Sequence, residues 1–77
     1  PNPVYDDLTI NVDIISKTHC VIRLFAADGQ LLRTICDQPD VSGEKSFPVS
    51  LRDVAPQKLY LTMHTNEGVI VREVVRG

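Results

Sequence analysis

Two histidines, His19 and His64, and two cysteines, Cys20 and Cys36, are the residues of this chain with the widest chemical repertoire. Metal binding needs several of them to converge on one ion. His19 and Cys20 are neighbours, so on a strand they point to opposite faces. No Cys-x-x-Cys or His-x-x-x-His spacing is present, so no metal site is expected and the histidines read as exposed or rim residues. The cysteines flank Asp28-Gly29, an Asp-Gly pair between two apolar runs and therefore a strong hairpin signal. A three-residue loop over 27–29 pairs Ala26 with Gln30 and sets the two sulfurs opposite each other on one face. A two-residue loop would set Cys20 against Asp37 instead. Both outcomes stay open at this point: a Cys20–Cys36 disulfide, or two reduced, partly buried thiols.

No other constellation is ready for catalysis. The carboxylates Asp6, Asp7, Asp28, Asp37, Asp40, Asp53 and Glu67 are isolated or stand in turns, where Asp ordinarily caps backbone donors. No pair of them is placed for acid–base work, and no basic cluster could activate a thiol. A phosphate-cradling glycine loop is absent from the sequence. The chain is expected to be no enzyme and to need no cofactor.

The elements that would carry these residues are strands. Val (10), Ile (6) and Thr (5) give many β-branched side chains against only three Ala, and such side chains suit a pleated surface better than a helix. Leu8, Ile10, Val12 and Ile14 alternate with Thr9, Asn11 and Asp13, a half-buried strand. Ser16-Lys17-Thr18 is expected to turn the chain. His19–Ala26 carries Cys20, Ile22 and Leu24 on one face, and Gln30–Asp37 returns after the Asp28-Gly29 hairpin. Residues 38–43 read as a loop, and Glu44–Leu51 as a strand that Pro48 confines to a sheet edge or a bulge. After a turn at 52–56, Lys58–Thr65 alternates, Asn66-Glu67-Gly68 turns, and Val69–Arg76 closes the domain. Six to seven short strands with frequent turns predict one all-β domain over residues 1–77, an antiparallel immunoglobulin-like sandwich or small barrel.

Charge and length narrow the function further. Eight Lys and Arg against ten Asp and Glu give a net charge of −2, so no basic footprint for nucleic acid exists. No apolar run approaches the roughly 18 residues of a bilayer-crossing helix. A chain this short buries only about 60% of its unfolded surface, which leaves little interior for a catalytic cavity. It opens on Pro1 with no initiator Met and no signal peptide, so it reads as a piece of a longer protein whose C-terminus is Gly77.

Several motifs in order carry a likeness. Pro1-Asn2-Pro3 is an extended lead-in, followed by Asp7-Leu8-Thr9-Ile10 and the run Leu24-Phe25-Ala26-Ala27-Asp28-Gly29-Gln30-Leu31-Leu32-Arg33. Gly43-Glu44 with Val49-Ser50-Leu51, then Leu59-Tyr60-Leu61, then Gly68 to Val75 complete the series. Across the whole chain this resembles the C-terminal sorting domains of the type IX secretion system of Bacteroidetes (the Por secretion tail family). It departs from them in Gln57-Lys58, where the family usually has Gly, and in Glu73, which interrupts the last strand. The resemblance implies an address carried by a host protein. The folded domain docks on the outer-membrane translocon and on sortase or shuttle proteins without inserting in the membrane, and in many cargos the sortase removes it. The host passes through the periplasm to the outer membrane, the cell surface or the medium. Docking is expected on the terminal hairpin, through Tyr60, Gly68, Val69, Val71, Arg72, Val74, Val75 and Arg76, and loss of Val71–Gly77 is expected to strand the host in the periplasm. Two alternatives stand beside it: a passive immunoglobulin- or fibronectin-like spacer or adhesion module, and a carbohydrate-binding module, for which four aromatics and no Trp make a poor platform.

Overall fold

The computed structural model describes residues 3–77. Pro1 and Asn2, the first two residues of the expected extended lead-in, lie outside the described residues. The chain is all-β: β1 (Asp7–Phe25), β2 (Leu31–Ser50), β3 (Gln57–Thr65) and β4 (Gly68–Arg76) form one antiparallel sheet in the order β2-β1-β3-β4.

Two of these strands are about twice as long as expected, because two expected connections are not connections. Ser16-Lys17-Thr18 lies within β1 and residues 38–43 lie within β2. The pairing explains both. Ile14 faces Gly43 and Thr18 faces Val41, so β1 takes four steps where β2 takes two. Thr18 to Cys20 then spans Val41 to Gln38, and the extra residue falls on β2. The turn-forming residues of the two strands therefore sit at the same level of one long hairpin. They work as facing bulges, which bend strands and sharpen their twist. Gly43 takes φ +82 there, a conformation open to glycine without a Cβ penalty.

The bend must be sharp. Straight, the 19 residues of β1 would run about 60 Å, whereas the whole molecule measures 35 × 21 × 17 Å. Bending at the corner joins Leu8, Ile10, Ile14 and Val49 from one half of the hairpin to Cys20, Ile22, Leu24, Leu59 and Val74 in a single apolar core. Thr18, the one polar residue buried among the described residues, fastens the corner. Its hydroxyl donates to the His19 carbonyl at 3.0 Å and accepts the Asn66 N–H, in the β3–β4 turn, at 2.8 Å.

The expected edge position of Pro48 follows from the same ladder. Leu51 N–H donates to the Asp6 carbonyl, which fixes the phase of the pairing and makes Thr9–Pro48 a non-hydrogen-bonded pair. The missing proline donor thus faces outward from β2, an edge strand.

Candidate docking surface

The residues expected to dock divide into two groups. Val69 and Val71 are exposed (56% and 54%), as are Arg72 and Val75, and Gly68 begins β4 with φ +125. Ile70, which the sequence reading passed over, joins them at 43% exposure. The signal for it was present: Val69-Ile70-Val71 is an unbroken apolar run, so both faces of the strand are apolar there. Tyr60 is half-buried on β3, between Phe25 of β1 and Glu73 of β4.

Val74 and Arg76 are placed otherwise. Val74 lies opposite Leu59 and belongs to the core. The Arg76 side chain is only 11% exposed and is committed internally. Its Nε donates to the carbonyls of Leu51 and Val54, both at 3.2 Å, and its Nη1 to that of Gly77 at 2.9 Å. Nη2 lies 3.6 Å from the Asp6 carboxylate. Deleting Val71–Gly77 would therefore remove core and staple along with the exposed run.

β4 is the sheet's second edge. Val4 covers its far end in a parallel bridge with Arg76, donating to the Val75 carbonyl and accepting the Gly77 N–H, both at 2.7 Å. Since main-chain groups alternate in direction along a strand, those of Val69 and Val71 face the same outer side as those of Val75 and Gly77. The Val71 carbonyl takes a bond from the Arg72 guanidinium at 3.2 Å. Val4 bridges to this side of β4 at its Arg76 end. An edge with exposed apolar side chains and outward backbone groups is a template for strand addition.

The face turned toward the corner is concave. Beyond Val21 β1 leaves β3, opening a groove of about 310 Å³ floored by Ile10, Ile22, Leu61, Met63 and Ile70. Arg72 and Asp13 flank it. On the other face, Thr62 sits between Arg23 and Val71, and its Oγ1 is buried with no hydrogen-bond partner. An unpaired buried hydroxyl is costly, so Thr62→Val, which keeps the β-branched shape, is expected to raise stability by about 1 kcal/mol and Tm by roughly 5 °C. A thermal melt reads this directly, and a lower Tm would mean the hydroxyl has a partner in solution.

The remaining candidates resolve simply. The Asp28-Gly29 turn is a three-residue loop: Ala26 N–H donates to the Gln30 carbonyl, Gly29 N–H to that of Ala26, and the Asp28 carboxylate accepts the Gln30 N–H. Gly29 has φ +91. His19 is exposed and pairs with Asp37 at 2.7 Å, whereas Cys20 is buried. Among the described residues no group of three His, Cys, Asp or Glu could hold a metal ion.

Two bulges decide the cysteine register. Phe25 faces Leu31 as the three-residue loop requires, but Leu24 faces Arg33 and Ile22 faces Cys36. Leu32 and Ile35 are the extra residues. They displace Cys36 from Cys20 to a diagonal position on the same core face. Both thiols are free and buried. Cys36 Sγ lies 3.7 Å from the Cys20 carbonyl oxygen.

No family model, curated protein or solved structure matches this chain.

Proposed function

We propose that this chain is a sorting domain of the type IX secretion kind, recognised as a folded unit by translocon and sortase or shuttle components and carrying no catalysis of its own. The observation that carries the reading is the exposed Val69-Ile70-Val71 edge of β4, together with the ordered motifs that resemble the family. The order of elements is compatible with it. Counting each arm of the bent β1 and β2 separately gives six strand segments, and we read the two arms as layers of an immunoglobulin-like sandwich sharing the core between them. The host protein would travel through the periplasm to the outer membrane, the cell surface or the medium.

The test fuses residues 1–77 to a periplasmic reporter in a type IX-competent cell. Surface delivery is expected for the native domain. With Val69→Ser and Val71→Ser together, delivery falls roughly tenfold, the equivalent of about 1.4 kcal/mol of docking, while the melt stays unchanged because both side chains are solvent-exposed. Retention of the native fusion in the periplasm would favour the passive spacer. Undiminished delivery of the double variant would move docking away from β4.

A further inference from the structure

The docking surface leaves one reactive group unused: the thiol pair on the core face where β1 meets β2. Cys20 has no exposed surface and Cys36 only 4%. The two side chains share one core face at diagonal positions of the β1–β2 ladder, and the Cys36 thiol lies 3.7 Å from the Cys20 carbonyl oxygen. We propose that Cys20 and Cys36 are a set-once staple, a disulfide made while the chain is unfolded or folding, which the folded protein neither forms nor opens at an appreciable rate.

The chemistry needs an oxidant, and a small-molecule disulfide such as oxidised glutathione serves. One cysteine thiolate attacks it, forming a mixed disulfide and releasing one glutathione thiolate. The second cysteine thiolate attacks the protein sulfur of that mixed disulfide, closing the Cys20–Cys36 bond and releasing the second glutathione thiolate. Two protein thiols are oxidised by two electrons, one glutathione disulfide is reduced, and the two protons end on the released thiols.

Folding obstructs both steps. Each requires a thiolate and an approach for the oxidant. Burial, followed by the neighbouring Cys36 thiol, pushes Cys20 up to about 11, so Cys20 holds little thiolate in the folded protein, and burial closes the approach to both sulfurs. In the unfolded chain both thiols are ordinary and accessible. The hairpin over 27–29 is the shortest route by which the local chain brings them together. Once closed, the same burial shields the bond from reductants. Closure also removes conformations from the unfolded chain, which stabilises the fold.

Reduced, folded protein is incubated with oxidised glutathione in mildly alkaline buffer, and a second sample is treated identically in urea and then diluted to refold. The folded sample is expected to keep both thiols, counted after denaturation. The urea sample is expected to lose both, to weigh less by two hydrogen atoms as a monomer, and to melt roughly 10–20 °C higher. Cys36→Ala, oxidised in urea, is expected to show neither the internal mass loss nor the higher melt. Glutathione adducts, disulfide-linked dimers or an oxidised monomer that melts no higher would overturn the staple. Thiol loss as fast in the folded sample as in urea would overturn the protection.

Discussion

Ile22→Ala is expected to lower the unfolding free energy by about 4 kcal/mol, since truncating a buried aliphatic side chain loses transfer free energy and leaves a cavity. Ile22 has no exposed surface and stands on a central strand, opposite Cys36 on β2 and Met63 on β3. It also lies under the groove where the first arm of β1 returns across the sheet, so neighbours on one side cannot collapse onto the vacancy without closing that groove. For 77 residues the total stability should fall near 4–12 kcal/mol, so the variant loses between about a third and all of it. Ile15→Ala is the internal control: at 87% exposure on the outer bulge of the corner, it should change stability by less than about 0.5 kcal/mol. Urea titration of the two variants checks both values. A loss under about 1 kcal/mol for Ile22→Ala would mean that the two arms of the hairpin do not share a core.

The contrast between Ile22 and Ile15 also marks how far the sequence could be read. Ile22 is placed by period-two alternation, a local property, and the faces assigned to Leu8–Ile14, Cys20–Leu24 and Leu59–Met63 follow the same rule. The corner is a different case. Ser16-Lys17 and Pro39-Asp40 have turn chemistry, and whether such residues reverse a chain or bulge within a ladder depends on what lies across from them. Here each group faces the other, so pairing continues past both. Register failed for a related reason. The Asp28-Gly29 loop sets Phe25 against Leu31 correctly, but two bulges further on shift the partner of Ile22 to Cys36. The apolar doublets Leu31-Leu32 and Ile35-Cys36 break alternation at those two places, a signal that local reading can recover. What it cannot recover is the destination of a charge. Arg76 follows an apolar run like any surface cation, and only the closure of the fold over Leu51 and Val54 reveals its task.

Arg76→Ala is accordingly expected to cost about 3 kcal/mol, the range for removing a charged donor from partly buried acceptors. The guanidinium holds the Leu51 and Val54 carbonyls, so it fastens the turn after β2 to the end of β4, and it reaches Asp6 beside the Val4 bridge. Removing it takes this donor from the Val54 carbonyl and leaves the Leu51 carbonyl with the Val54 N–H alone. Arg76→Lys should recover less than half of the loss, because one ammonium lacks the planar fork that serves several acceptors at once. Salt separates this role from surface pairing. Raising ionic strength to about 1 M should weaken the exposed contact of Arg52 with Asp7 while leaving the cost of Arg76→Ala nearly unchanged, since neutral carbonyls are its main partners. Chemical denaturation at two salt concentrations measures this. A cost under about 0.5 kcal/mol would mean that the guanidinium is solvated and the terminal strand is held by Val74 and Val4 alone. The magnitude bears on docking as well. If Arg76→Ala lowers host delivery by loosening β4, delivery should recover in part when Thr62→Val is added, since its gain of about 1 kcal/mol offsets about a third of the loss. The loss caused by Val69→Ser with Val71→Ser should persist under the same restabilisation, because those side chains are exposed to solvent rather than packed in the core.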